Sequence, residues 1–124
     1  MQKMTNGHLK YRLAFDAPNS VPDGHGGTDV GWLLMFVRHA GILFLRGGET
    51  VQASRLQGRQ PAVITIRNSV ITRKATAEWR IRDLRRGQFD DHKCWQGVEY
   101  NVRAIVPSDD DIWLEITAES GVAT

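Results

Sequence analysis

A chain of 124 residues is long enough for one domain with a modest core and too short for two. Its residues are 41% hydrophobic and 24% charged, which excludes a disordered chain, and its net charge of +2 is too small to announce nucleic acid as a partner. One cysteine, Cys94, excludes an internal disulfide and a four-cysteine zinc site.

The chain opens on Met1-Gln2-Lys3-Met4-Thr5-Asn6-Gly7, which has no apolar stretch of the secretory type. Leu9, Tyr11, Leu13 and Phe15 then alternate with Lys10, Arg12 and Ala14, the period-two pattern of a strand with one face in a core. Residues 16–27 read as the longest break. Pro18, Pro22, the Pro22-Asp23-Gly24 turn signal and Gly26-Gly27 leave no room for a helix or a central strand.

Trp32 to Leu45 is the most apolar stretch. Arg38-His39 interrupts it, and each half falls short of the ~20 residues needed to cross a bilayer. Residues 32–37 and 42–45 therefore read as strands buried on both sides, and His39 as a hydrogen-bonded core or interface histidine. Arg46-Gly47-Gly48 breaks the chain again. Residues 49–57 predict the one short helix, capped by Thr50, with Arg55 in its last turn and Gly58 just past its end.

Pro61 leads into the β-branched run 62–67, and Ala77, Trp79 and Ile81 alternate with Glu78, Arg80 and Arg82. Residues 85–97 read as a polar, glycine-bounded break. Val98, Tyr100, Val102 and Ala104 form a further period-two run. Pro107 to Asp111 is a tight acidic turn, and Ile112, Leu114 and Ile116 alternate with Trp113, Glu115 and Thr117. The expected fold is all-β and mainly antiparallel, a small barrel or sandwich of six to seven strands with long loops and one short helix. It is one domain over residues 1–124, with its core at about 7–119 and a long loop at 16–31.

Charge is segregated along the sequence. Residues 55–86 carry nine basic and two acidic side chains, +7, whereas residues 87–124 carry two basic and eight acidic ones, −6. A basic face suits a nucleic-acid backbone, or the acidic face of a second copy in a head-to-tail ring. Adjacent strands of opposite charge that neutralise each other within one sheet explain it equally well.

No catalytic motif is present: no Gly-x-Ser-x-Gly, no phosphate loop, no His-Glu-x-x-His. Asp90-Asp91-His92-Lys93-Cys94 is dense in metal ligands, but its spacing matches no zinc pattern and it reads as solvated surface. Asp109-Asp110-Asp111 lacks the spacing of a calcium loop. No cofactor, metal or enzymatic activity is expected. Trp79 falls in the core register. Trp113 falls in register with Glu115 and Thr117, opposite Ile112 and Leu114, which places it outward with Arg80 and Arg82 as a candidate interface.

In order and spacing these motifs resemble the phage head-tail joining family of head-completion, stopper-type proteins. The resemblance is carried by Gly7-His8-Leu9-Lys10-Tyr11-Arg12, by Asp23, Gly26, Gly27 and Trp32, and by Gly47-Gly48-Glu49 running into residues 51–56. It continues through Ile64-Thr65-Ile66-Arg67, Gly97-Val98-Glu99-Tyr100-Asn101-Val102 and the final strand 112–118. It implies a structural virion or prophage connector, made in the bacterial cytoplasm and with no membrane partner. Such a subunit forms a ring of its own copies between the portal or adaptor and the tail proteins. The ring closes the DNA-filled head and offers the tail its attachment site. It also implies that residues 46–60 project into the channel, with Arg46, Glu49, Arg55 and Arg59 in transient contact with packaged DNA. The competing expectation is a nucleic-acid-binding barrel of the OB or SH3-like kind that uses residues 55–86.

Overall fold

The computed structural model describes residues 9–22 and 24–121. Six strands form: β1 (Tyr11–Pro22), β2 (Thr28–Phe44), β3 (Gln60–Arg67), β4 (Arg80–Phe89), β5 (Trp95–Pro107) and β6 (Trp113–Ser120). One helix, α1 (Glu49–Leu56), joins β2 to β3, and a single 3-10 turn (Thr72–Lys74) lies between β3 and β4. The strands close into a barrel in the order β1-β2-β3-β6-β5-β4, every neighbouring pair antiparallel. The expected all-β architecture with one short helix is therefore what the chain adopts.

Leu13, Phe15, Ile64, Ile66, Ile81, Tyr100 and Ile116 fill the interior and are almost wholly removed from water. Each such side chain stabilises the fold by roughly 1.5–3 kcal/mol. Phe15 and Phe36 stack with centroids 4.7 Å apart, and Trp79 lies 5.8 Å from Phe36.

Strict alternation of direction sorts the connections between the two ends of the barrel. The β1–β2 turn, the β3–β4 connection and the β5–β6 turn share one end; α1 and the β4–β5 turn share the other. Since β6 and β5 separate β3 from β4, residues 68–79 must cross the first of these mouths. They close it: Thr72, Ala75 and Trp79 are buried. The Thr72 hydroxyl donates to the Arg67 carbonyl at 2.8 Å and accepts from the Ser69 amide at 2.8 Å, which satisfies polar groups that the crossing buries.

Five readings of the sequence need correction. Residues 16–22 are not a loop, because β1 continues to Pro22, paired with β2 down to Pro22↔Thr28. Beyond Asp16 this strand has no β4 partner, so Pro18 sits in an edge strand where a missing N–H costs little. Nor is β2 buried on both sides: Leu33, Leu34 and Leu43 are 53%, 54% and 64% exposed. The ribbon that carries Leu33 and Leu34 runs past the barrel wall.

Residues 85–97 are not a break either. They belong mostly to the β4–β5 hairpin, whose turn is confined to residues 90–94. Ala77 is exposed in a turn, and β4 begins only at Arg80. Along β5 the alternation shifts at a bulge between Val102 and Ala104, which exposes Ala104 and half-buries Ile105.

The helix forms where expected. Gly58 follows it at φ 80, a left-handed conformation natural to glycine, and the Gly58 amide donates to the Arg55 carbonyl at 3.0 Å. Gly7, His8, Asp23 and the Thr50 side chain lie outside the described residues.

Candidate functional site

Asp16 lies across from a bulge in β2, where Met35 is the extra residue, so that Phe15 pairs with Phe36 but Asp16 with Leu34. Its carboxylate points outward beside β4, whose Arg80 and Arg82 alternate with the core residue Ile81. Arg80 Nε donates to Asp16 Oδ2 at 2.8 Å; Arg82 donates through Nε to Oδ2 at 2.6 Å and through Nη2 to Oδ1 at 3.0 Å. Glu99, opposite Arg82 on β5, brings Oε2 within 3.6 Å of Arg80.

Aromatic rings roof this charge cluster. Trp32 of β2 lies 4.7 Å from the Arg80 guanidinium, and Phe89 and Trp95 lie 4.8 and 5.1 Å from that of Arg82. The β4–β5 hairpin reaches Arg82 because the register slips between Arg82 and Gly87. Phe89 and Trp95 then meet edge to face at 5.3 Å, and the Trp95 indole donates to the Val98 carbonyl at 3.1 Å. Two of the nine cations in the basic stretch are thus consumed inside the protein.

Arg80 and Arg82 are 8% and 5% exposed, so the expectation that they stand on an open face is corrected. The same holds for Trp113, 7% exposed beneath Arg67, its cross-strand partner on β3, whose guanidinium stands 5.0 Å from the ring. Period two placed Trp113 outward correctly but could not show that a long neighbour folds over it. His39 is exposed on β2 and is no core histidine.

Arg46, Glu49 and Arg55 are exposed and Arg59 is half-buried, all around α1. That segment is anchored at both ends. Gln60 Nε2 donates to the Leu45 carbonyl at 2.8 Å, and Gly121 packs so close to the Gly58 carbonyl that no Cβ fits.

The hairpin turn at residues 90–94 is built on Asp90, whose Oδ1 accepts the His92 and Cys94 amides at 2.9 Å each. Asp90 is held below the usual carboxylate range, chiefly by the Cys94 amide, with partial desolvation opposing and His92 and Gln96 adding. Among the described residues no group of three histidines, cysteines or carboxylates is gathered as a metal site.

Sequence reasoning missed the exposed apolar residues Leu33, Leu34, Met35 and Phe89. The signal available was apolar residues on both parities of one strand, which a projecting ribbon produces as readily as a buried strand. At the crossed end, a groove of about 570 Å³ is lined by Asn68, Arg73, Ala75, Ile105, Pro107 and Leu114, with Asp111 at its side.

Six antiparallel strands closed on themselves, with a roofed charge cluster on one wall and an apolar ribbon beyond it, place the chain in the class of small all-β barrel proteins. The sequence pattern of the phage head completion proteins matches residues 4–121, and the chain belongs to that family. It is thus a structural protein of the virion with a role in head completion, and the family is structural rather than enzymatic.

Two solved structures share the fold. A chain in the virion of a native gene transfer agent particle is 20% identical, with a TM-score of 0.57 over 90% of this chain and 94% of that one. Protein SF1141 from Shigella flexneri 2a is 17% identical, with a TM-score of 0.64 over 98% of this chain and 100% of that one. No curated protein matches the chain. No helix among the described residues is long and apolar enough to cross a membrane.

Proposed function

We propose that the protein forms a ring between the portal or its adaptor and the tail, closes the DNA-filled head and offers the tail its attachment site. The observation that carries this reading is the β1–β2 ribbon. It runs beyond the barrel wall with Leu33, Leu34 and Met35 exposed, a surface that is useful to an assembling subunit and a liability to an isolated one. The α1 segment, with Arg46, Glu49, Arg55 and Arg59, faces the channel, where its arginines meet the phosphates of exiting DNA. Burial of Arg80 and Arg82 weakens the competing nucleic-acid-binding reading, since it removes two cations from the surface that reading needs.

Size-exclusion chromatography with light scattering tests the proposal, on the purified protein alone and with the portal-side protein of its own particle. The expected result is a monomer or weak associate alone and a ring on the partner. A stable free dimer indifferent to that partner would overturn the reading.

A further inference from the structure

In a closed ring of six strands each strand faces the one three places away, so β1 stands opposite β6 and β2 opposite β5. The outward positions at the start of β1 are basic and exposed. They are Lys10 and Arg12, with exposed Arg85 donating to the Lys10 carbonyl at 3.2 Å. Beyond Trp113, which Arg67 covers, the outward positions of β6 are Glu115, Thr117 and Glu119, with no cation among them; Arg103 of β5 partners Glu119 at 3.2 Å. One wall of the barrel is therefore basic and the opposite wall acidic.

The apolar surface follows the same diameter. Leu34 is outward on β2 and 54% exposed, while Val106 on β5, directly across from Glu115, is 56% exposed. Because β1 and β6 run in opposite directions, Lys10 and Arg12 lie at the same end as Glu119. Leu34 and Val106 both lie toward the other end, where the groove offers the ribbon's apolar side chains a concave seat.

We propose that these two walls are the two halves of one contact between copies of this chain. The β1–β2 wall of one subunit, with Arg12 and Leu34, docks on the β5–β6 wall of the next, with Glu119 facing Arg12 and Val106 facing Leu34. Different patches on opposite sides of a subunit make a heterologous contact, the kind that propagates head to tail and closes as a ring. Charge complementarity sets the register, and the apolar pair supplies the contact that excludes water. The inference rests on the ring reading and names the surface that reading requires.

The test uses heads assembled without this chain, to which purified protein is added. In a Cys94→Ser background, Leu34→Cys and Val106→Cys are combined in one chain and treated with a short bis-maleimide. A ladder of cross-linked oligomers is expected from the combined variant and monomer from each single one. A dimer from either single variant would reveal a two-fold contact and overturn the proposal. So would a missing ladder when the wild-type chain shows rings on the heads by electron microscopy. If the wild-type chain forms no ring there, the ring reading itself falls, and this contact with it.

Charge reversal gives a second readout. Arg12→Glu and Glu119→Arg, both at surface positions and checked for folding by circular dichroism, are each expected to cut ring-bearing heads roughly tenfold or more. Combined in one chain they are expected to restore most of that loss. Failure of the combination to recover would count against the pairing.

Discussion

The Asp16 carboxylate and the Arg82 guanidinium form a two-pronged ion pair, at 2.6 and 3.0 Å, outside the barrel yet out of water. Arg80 adds a third hydrogen bond to the same carboxylate. Desolvating these groups is costly, and the bridge offsets that cost only while every partner is present. Asp16→Ala leaves two buried guanidiniums without their shared counter-ion. It is expected to destabilise the fold by about 3–5 kcal/mol, measured by urea unfolding. A loss below about 1 kcal/mol would mean that water already solvates the pair.

Gly97 carries the β4–β5 hairpin past its own slip in register. Its φ is 156, and a Cβ there would collide with the Arg86 carbonyl and the Gly87 backbone. Gly87 is equally crowded, its missing Cβ falling 2.5 Å from the Trp95 ring. Gly97→Ala is therefore expected to cost about 1–3 kcal/mol and to lift Trp95 off Arg82, visible as a change in near-ultraviolet circular dichroism. Gly47→Ala, with nothing within 4 Å of its added methyl, is expected to leave that signal unchanged.

These two features mark what the sequence could and could not disclose. Leu13, Phe15, Ile81 and Ile116 were legible as core, since period two assigns a face without knowledge of the partner strand. The helix at 49–56 was legible from its bounding glycines. Asp16 was not, because its role depends on Arg82, sixty-six residues away, and on a bulge that no local pattern announces. Trp113 shows the same limit from the other side. Its face was readable, but the Arg67 side chain over it was not. Residues 16–22 were misread because two prolines argue against a central strand and are silent about an edge.

Tyr100 gives the fold a defined alkaline limit. Burial, and after it the negative charge of Asp83, push its hydroxyl from 10.0 up to about 12, with Arg86 opposing. Below pH 10 neither the folded nor the unfolded chain ionises it, and its contribution is whole. Between pH 10 and 12 the unfolded chain loses the proton first, so stability falls by up to about 3 kcal/mol. With two tyrosines in the chain, absorbance titration at alkaline pH is expected to show a late phase that Tyr100→Phe removes. Persistence of the late phase in that variant would overturn the assignment to Tyr100.

Trp79 tests whether the crossing segment is what closes the barrel. It is the last residue before β4, and its amide donates to the Thr76 carbonyl at 3.2 Å, which holds the turn beneath the ring. Its own carbonyl accepts the Val102 amide at 3.3 Å, tying the segment to β5 on the far side of the mouth. The ring reaches Phe36 and, through it, Phe15, so the plug and the core form one aromatic stack. Trp79→Ala should open a cavity at the mouth and cost about 3–5 kcal/mol, while Trp79→Phe recovers part of that by refilling it. Thermal unfolding of the two variants gives the ordering. If Trp79→Ala cost no more than a surface substitution, residues 68–79 would be an ornament on a barrel already closed by its strands.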